Sequence, residues 1–145
     1  MIQAKILRAA HAPVAGMTRA LWLGLVLWGL MFSIASALYP WSVVNRRLFE
    51  SALAVVLASA TTAVGTAYLR GLEGRILGRA LAASVLWTVT CWTLDFLILM
   101  VKPPRLSFGE YFQGTGLTYL VIPAIVLGLT YQRLRVERAS PRSRV

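Results

Sequence analysis

Four apolar runs, each about as long as a membrane-spanning helix, restrict the folds open to this chain. They lie at about residues 20–39, 48–69, 79–101 and 114–132. A helix of about 20 apolar residues crosses the ~30 Å hydrocarbon core of a bilayer. Charged residues make up only 14% of the chain, against ~25% in soluble domains, which is too few to cover a soluble core. We therefore predict an all-α transmembrane bundle of four helices.

The remaining segments flank this membrane domain, which we place at residues 20–134. Residues 1–19 are predicted to be either a helix lying in the headgroup region or a disordered terminus, and residues 135–145 a basic, disordered cytoplasmic tail. Pro13 and Gly16 are expected to break the N-terminal segment before the first span, and Pro40 is expected to end that span. A total of 145 residues allows one domain.

Capping motifs mark the starts of two spans. Asn45 is a predicted N-cap of the second. Ser107 and Glu110 have the spacing of a capping box, so a helix is expected to start near Phe108. Gly114 and Gly116 either lie within one long helix or separate a short interfacial helix from the span itself. Pro123 is predicted to kink the fourth span.

Small residues mark surfaces where transmembrane helices can approach closely. Gly29, Ser33 and Ala37 recur every four residues in the first span. The middle of the second span, residues 51–67, is rich in Ala, Ser, Thr and Gly. Because lipid provides no hydrophobic drive for helix association, close backbone packing takes its place. We expect the row in the first span to be a close-packing edge, and the second span to be the most protein-contacted of the four helices.

The distribution of basic residues predicts an orientation and a partner. Eleven Lys and Arg residues adjoin one side of the four spans and four adjoin the other, within a formal net charge of +10. The positive-inside rule then places both termini in the cytoplasm (N-in/C-in), with the chain in the cell (inner) membrane. These charges cluster at the ends of apolar runs, which indicates a bilayer with anionic headgroups as partner and no nucleic acid.

Asp95 lies inside the third apolar run and is the main candidate for a functional residue. Apart from the thiol of Cys91, it is the only ionisable group between Arg79 and Lys102. A carboxylate in hydrocarbon costs a few kcal/mol, so it usually has a partner, a wet cavity or a function. At helical spacing it belongs to one mostly polar stripe, which we expect to face the bundle. The stripe consists of Ser84, Thr88, Cys91, Asp95 and Lys102.

A polar chamber open to the non-cytoplasmic side is predicted around Asp95. Lys102 follows it by seven residues, about 10 Å along a helix, so Asp95 is expected nearer that side. The candidate chamber residues are Arg46, Arg47, Glu50, Asp95, Lys102, Arg105 and Glu110. Three roles stay open for Asp95. In the first, it is a structural group that pairs with Arg47 or Lys102, or accepts hydrogen bonds from Thr or Trp. In the second, it belongs to an ion or proton pathway. In the third, it binds a ligand or takes part in catalysis.

No sequence motif assigns a cofactor, a metal or a catalytic residue. Phosphate-binding and dinucleotide-binding glycine loops are absent, as are zinc-ligand spacings and the common hydrolase motifs. His11 is the only histidine and lies outside the spans. Cys91 is the only cysteine, and it is expected to be a small packing residue.

Three segments resemble a group of small four-span prokaryotic membrane proteins with no established activity. They are PPRLSFGEYFQGTGLTYLVIP at Pro103–Pro123, LFES at Leu48–Ser51 and LDF at Leu94–Phe96. The resemblance extends from the second span onward. It implies a four-helix integral membrane fold and carries over no catalytic residue.

Three functions are compatible with these features. The first is an integral membrane protein that acts by helix packing, as a homo-oligomer or an accessory subunit of a membrane complex. The second is a small transporter or channel that uses Asp95 with Glu50. The third is a membrane enzyme or lipid-headgroup binder, because the basic residues of the chamber suit a phosphate.

Overall fold

The computed structural model describes residues 2–72, 74–101 and 107–139, without the side chains of residues 2–15, 99–101, 110 and 114. This part of the chain is helical and contains no strand. Its helices are α1 (Ile2–Val44), α2 (Arg46–Arg70), α3 (Ile76–Val101), α4 (Phe108–Gly114) and α5 (Val121–Ala139), with a 3₁₀ segment at Gly116–Leu120. Four stretches are long and apolar enough to span a membrane: Gly16–Val44, Arg46–Arg70, Ile76–Ile98 and Gly116–Ala139. The all-α class and the four spans are therefore confirmed.

The four long helices form a four-cornered bundle. α1 and α5 each pack against both α2 and α3. Trp87 donates to the carbonyl of Ala20, and Trp28 donates to Asp95 with the same separation along the sequence. Equal separations mean that α1 and α3 run parallel. The core between the helices contains Leu27, Leu57, Trp87, Ile122 and Val126, all fully buried.

α1 is longer than the sequence indicated. It continues through Pro13, Gly16 and Pro40 to Val44, so the predicted breaks at these positions were wrong. A proline removes one backbone donor, but spanning helices tolerate this where local adjustments satisfy the freed carbonyl. Beyond Pro40 the ladder resumes, since the N–H of Asn45 bonds the carbonyl of Trp41 at 2.8 Å.

α2 begins at its predicted N-cap and ends against two arginines. The Asn45 side chain accepts from the N–H of Leu48 at 3.1 Å, which confirms the cap. At the other terminus, Arg19 of α1 donates to the carbonyl of Ala67 at 2.9 Å. Arg133 of α5 donates to the carbonyls of Leu69 and Leu72.

These two arginines donate to carbonyls in the last turn of α2 and just after it, where the helix dipole favours positive charge. They tie α1 and α5 to the end of α2. We call this end of the bundle the basic end. It carries Arg19, Arg70, Arg75, Arg79 and Arg133.

The fourth crossing is interrupted. α4 starts at Phe108 as predicted, and Gly114 and Gly116 separate it from the span. Pro123 lies in the first turn of α5, directly after the 3₁₀ segment. The kink expected at Pro123 stays a prediction. The disorder predicted for residues 135–139 was wrong, because α5 runs to Ala139. Residues 140–145 lie outside the described part.

Candidate functional site

Three neutral donors from three different elements bind the carboxylate of Asp95. Trp28 Nε1 of α1 donates to Oδ1 at 2.8 Å. The hydroxyls of Tyr119, in the 3₁₀ segment, and Tyr111, on α4, donate to Oδ2 at 2.8 Å and 3.3 Å. Both tyrosines are buried, with 5% and 3% of their surface exposed. We call Asp95, Trp28, Tyr111 and Tyr119 the Asp95 clasp.

The chemistry of the donors defines how the clasp works. An indole N–H can only donate, so Oδ1 acts as an acceptor, and an ionised carboxylate can accept on both oxygens. Hydrogen bonds to a charged acceptor are about twice as strong as neutral ones. The clasp therefore satisfies the carboxylate with hydrogen bonds alone and joins α1, α3 and the interrupted fourth crossing.

The register between helices places the clasp near mid-height of α1. Trp28 lies nine residues after Arg19 and eleven before Tyr39, or about 14 Å and 17 Å along the axis at 1.5 Å per residue. The sequence of α3 alone placed Asp95 nearer the end that carries Lys102. The position of Asp95 judged from α3 alone differs from its position judged from α1, because α3 is displaced along its axis relative to α1. Trp87 of α3 therefore lies level with Ala20 of α1.

Aromatic packing holds α4 against α3 and brings Tyr111 into position. Phe96 and Tyr111 make an edge-to-face contact with ring centroids 6.4 Å apart, and Trp92 and Phe112 lie 5.0 Å apart. Trp92 Nε1 also donates to the carbonyl of Gly116 at 2.8 Å. Aromatic pairs of this kind add about 0.5–1.5 kcal/mol each beyond their buried area. α3 thus positions both tyrosines that bind its own carboxylate.

The polar stripe on α3 lies in the bundle without forming a chain of hydrogen bonds to Asp95. Ser84, Thr88 and Cys91 are buried. The Ser84 hydroxyl donates to the carbonyl of Leu81 at 2.9 Å, and that of Thr88 to the carbonyl of Ser84 at 3.0 Å. Both hydroxyls are therefore satisfied by their own helix.

The predicted chamber residues on α2 have partners other than Asp95. Arg46 and Glu50 form an ion pair at 2.8 Å, with side chains 78% and 56% exposed, and Arg47 is exposed. Among the described side chains, no hydrogen bond or ion pair joins Asp95 to these three. Lys102, Arg105 and the side chain of Glu110 lie outside the described residues, so the chamber stays a prediction.

Of the partners expected for Asp95, the structure contains a tryptophan and not Arg47. The two tyrosines were missed by the sequence reasoning, as were the helix-capping roles of Arg19 and Arg133. The signal for the tyrosines was their position on either side of the Gly114–Gly116 turn, close in sequence to the span that follows α3. Within the described residues, no three His, Cys, Asp or Glu side chains are grouped to hold a metal ion.

This chain matches no protein-family model, no curated protein and no solved structure.

Proposed function

We propose that this chain is a multi-pass protein of the cell (inner) membrane that acts by helix packing, as a homo-oligomer. The Asp95 clasp carries this proposal. Its three donors occupy both carboxylate oxygens and come from elements far apart in sequence. A carboxylate held in this way fixes the register of neighbouring helices, a role that buried polar groups fill in other helical assemblies.

Both termini lie in the cytoplasm in this proposal. The basic end then faces the cytoplasm, since eleven of the fifteen Lys and Arg residues adjoin that side of the spans. Arg19 and Arg133, which cap α2 there, serve both orientation and stability.

The proposed contact between copies is the small-residue edge of α1, formed by Gly29, Ser33 and Ala37. A Cβ atom at Gly29 would meet no atom within 4 Å, and Ser33 and Ala37 are exposed. Within the part of the chain that the structure describes, this edge is therefore unused. Rows of small residues at this spacing allow two spanning helices to approach closely in lipid, which supports a second copy of α1 as the partner.

Disulfide crosslinking tests this contact. Cys91 is buried and is the only thiol, so Cys91→Ala provides a background without cysteine. In that background we expect Ser33→Cys to give a covalent dimer on oxidation in membranes. Adding Gly29→Ile should reduce the dimer about tenfold, because the larger side chain prevents close approach.

The matched control for crosslinking is Val55→Cys on α2, where the side chain is 66% exposed. It should give little dimer. If both cysteines leave only monomer, the homo-oligomer is rejected and the accessory-subunit form of the proposal takes its place.

A second candidate, a small transporter, is favoured by the interrupted fourth crossing. The break at residues 115–120 carries Tyr119, a ligand of the Asp95 carboxylate, and broken helices beside an ionisable group are common at transport sites. Thr61 on α2 adds a fully buried hydroxyl without a hydrogen-bond partner among the described residues. Such an atom can bind a water molecule.

Flux measurements in liposomes test the second candidate. If Asp95 carries protons or cations, Asp95→Asn should lower the flux to that of empty liposomes. Glu50→Gln should leave it unchanged, because that exposed carboxylate is paired with Arg46. Equal flux for wild type and Asp95→Asn would reject transport through Asp95 and leave the packing proposal in place.

A further inference from the structure

A large apolar groove runs between α1 and α3 at the basic end. Its volume is about 930 Å³, near the upper limit of the ~300–1,000 Å³ typical of small-molecule sites. α1 contributes Gly16 and Ala20, and α3 contributes the stretch from Gly78 to Val89. Small residues on both helices leave this space, because few side chains extend into it. The groove opens to the outside of the bundle, where Leu81 and Val85 of α3 are 46% and 50% exposed.

The groove is about as long as half of the hydrocarbon core of a bilayer is thick. Arg79 and Val89 lie ten residues apart on α3, which is about 15 Å along the helix axis, against ~30 Å for the whole core. Its inner end at Val89 lies six residues before Asp95, or about 9 Å short of the clasp. An acyl chain whose headgroup lies at Arg79 would therefore follow the groove inward without reaching the clasp.

One end of the groove is positively charged. Arg79 lines it there, and its guanidinium group crosses over α1 at Gly16, where a Cβ atom would lie 2.5 Å from Nη2. Tyr68 of α2 also lines the groove. Among the residues that line the groove, none is acidic. This end suits an anion, and the rest suits hydrocarbon.

We propose that the groove binds an anionic phospholipid, with one acyl chain between α1 and α3 and the phosphate at Arg79. The planar guanidinium group matches the oxygens of a phosphate in two-point contact. This lipid-binding proposal rests on the proposed function in one respect, since it requires the basic end to lie at a membrane surface. It would stabilise the part of the α1–α3 contact that protein side chains leave open.

Native mass spectrometry of the full chain in detergent tests the proposal. Delipidated protein is titrated with phosphatidylglycerol or phosphatidylcholine in mixed micelles, and the bound lipid is counted. We expect wild type to bind phosphatidylglycerol at least about tenfold more tightly, the ratio that a charge-assisted contact to phosphate supplies. Arg79→Ala should abolish this preference while retaining weak binding of both lipids. Arg75→Ala, an exposed neighbour outside the groove, should keep it.

A second variant tests the hydrocarbon part of the site. Ala82 lines the groove and is exposed, so Ala82→Phe fills the space without entering the core and should lower binding of both lipids about tenfold. Ala82→Leu replaces it if the larger side chain prevents folding, judged by circular dichroism.

Equal affinity of wild type for the two lipids, or a preference unchanged in Arg79→Ala, overturns the proposal. A groove that takes a second copy also overturns it, and would appear as Ala82→Phe shifting the oligomeric state without changing lipid binding. The Ser33→Cys crosslink reports separately on the proposed function. Its loss with the lipid preference intact would count against the oligomer alone.

Discussion

Asp95→Leu is expected to lower the free energy of unfolding by about 3 kcal/mol, because it removes the acceptor shared by three donors of the clasp. Trp28, Tyr111 and Tyr119 would each keep an N–H or O–H group inside the bundle without its partner. An unsatisfied buried donor costs about 1–3 kcal/mol, and measured values for hydrogen bonds between spanning helices lie at the lower end of this range. Thermal unfolding in detergent, followed by circular dichroism, measures the loss.

Asp95→Asn should cost only about 1 kcal/mol. The amide oxygen still accepts from Trp28, and the amide nitrogen can donate to the tyrosine hydroxyls, which are able to accept. The order of stability, wild type above Asn above Leu, is the order of the hydrogen bonds that each side chain can make. The Asn and Leu side chains have the same branch point and the same number of heavy atoms.

Glu50→Gln is the matched control, because it removes a carboxylate whose ion pair with Arg46 is solvent-exposed in the structure. Exposed ion pairs contribute about 0–1 kcal/mol, so the change should be small. If Asp95→Leu is as stable as Glu50→Gln, the clasp does not hold the helices together. The reason to prefer packing over transport would then be lost.

Trp87→Ala is expected to cost about 3–5 kcal/mol, the range for deleting a large buried aromatic side chain. Trp87 is fully buried. Its Nε1 donates to the carbonyl of Ala20 at 2.6 Å, and its ring contacts that of Tyr68 with centroids 5.6 Å apart. Truncation would leave a cavity where α1, α2 and α3 meet. The same unfolding measurement applies.

Gly24→Ala disturbs the same contact between α1 and α3, from the side of α1. A Cβ atom at Gly24 would lie 2.8 Å from Cδ1 of Trp87, and the buried indole has no free space to move into. Overpacking of this kind costs about 1–3 kcal/mol. Glycine is required at this position by the close approach of the two helices.

Both variants have matched controls on exposed helix surfaces. Trp22 of α1 is 64% exposed, so Trp22→Ala removes the same side chain from a surface and should cost less than about 1 kcal/mol. Gly128→Ala on α5 adds a Cβ atom where nothing lies within 4 Å and should be neutral or slightly stabilising. If the Trp22 and Trp87 variants lose equal stability, the position of Trp87 in the core is contradicted.

The helices themselves were largely predictable, and their ends less so. Asn45 predicted the start of α2 correctly, because a cap is a local interaction between neighbouring residues. Pro13 and Pro40 were misread because the cost of a proline depends on what surrounds the freed carbonyl. For the fourth span, the sequence left open one long helix or a short helix separated from the span by a break. The structure has the break, and α4 on one side of it packs against α3.

The candidate site divides in the same way. Asp95 stood out because a charge in an apolar run is costly wherever the neighbouring helices lie. Its partners depend on the rotation and axial displacement of α1 and on the turn before α5, which are set by packing between distant segments. In the sequence, Arg19 and Arg133 contributed only to the count of basic residues that predicts orientation. Their capping role depends on the end of α2 lying beside them, which only the tertiary structure shows.

By itself, the sequence determined the all-α class, the four spans and the most unusual residue, because hydrophobicity and capping act over a few neighbouring positions. Only the tertiary structure decided that Trp28, Tyr111 and Tyr119 hold Asp95, that Trp87 packs on Gly24, and that α1 and α3 leave a groove at the basic end. These contacts join residues up to 67 positions apart. They depend on the relative displacement of whole helices, which no single segment specifies.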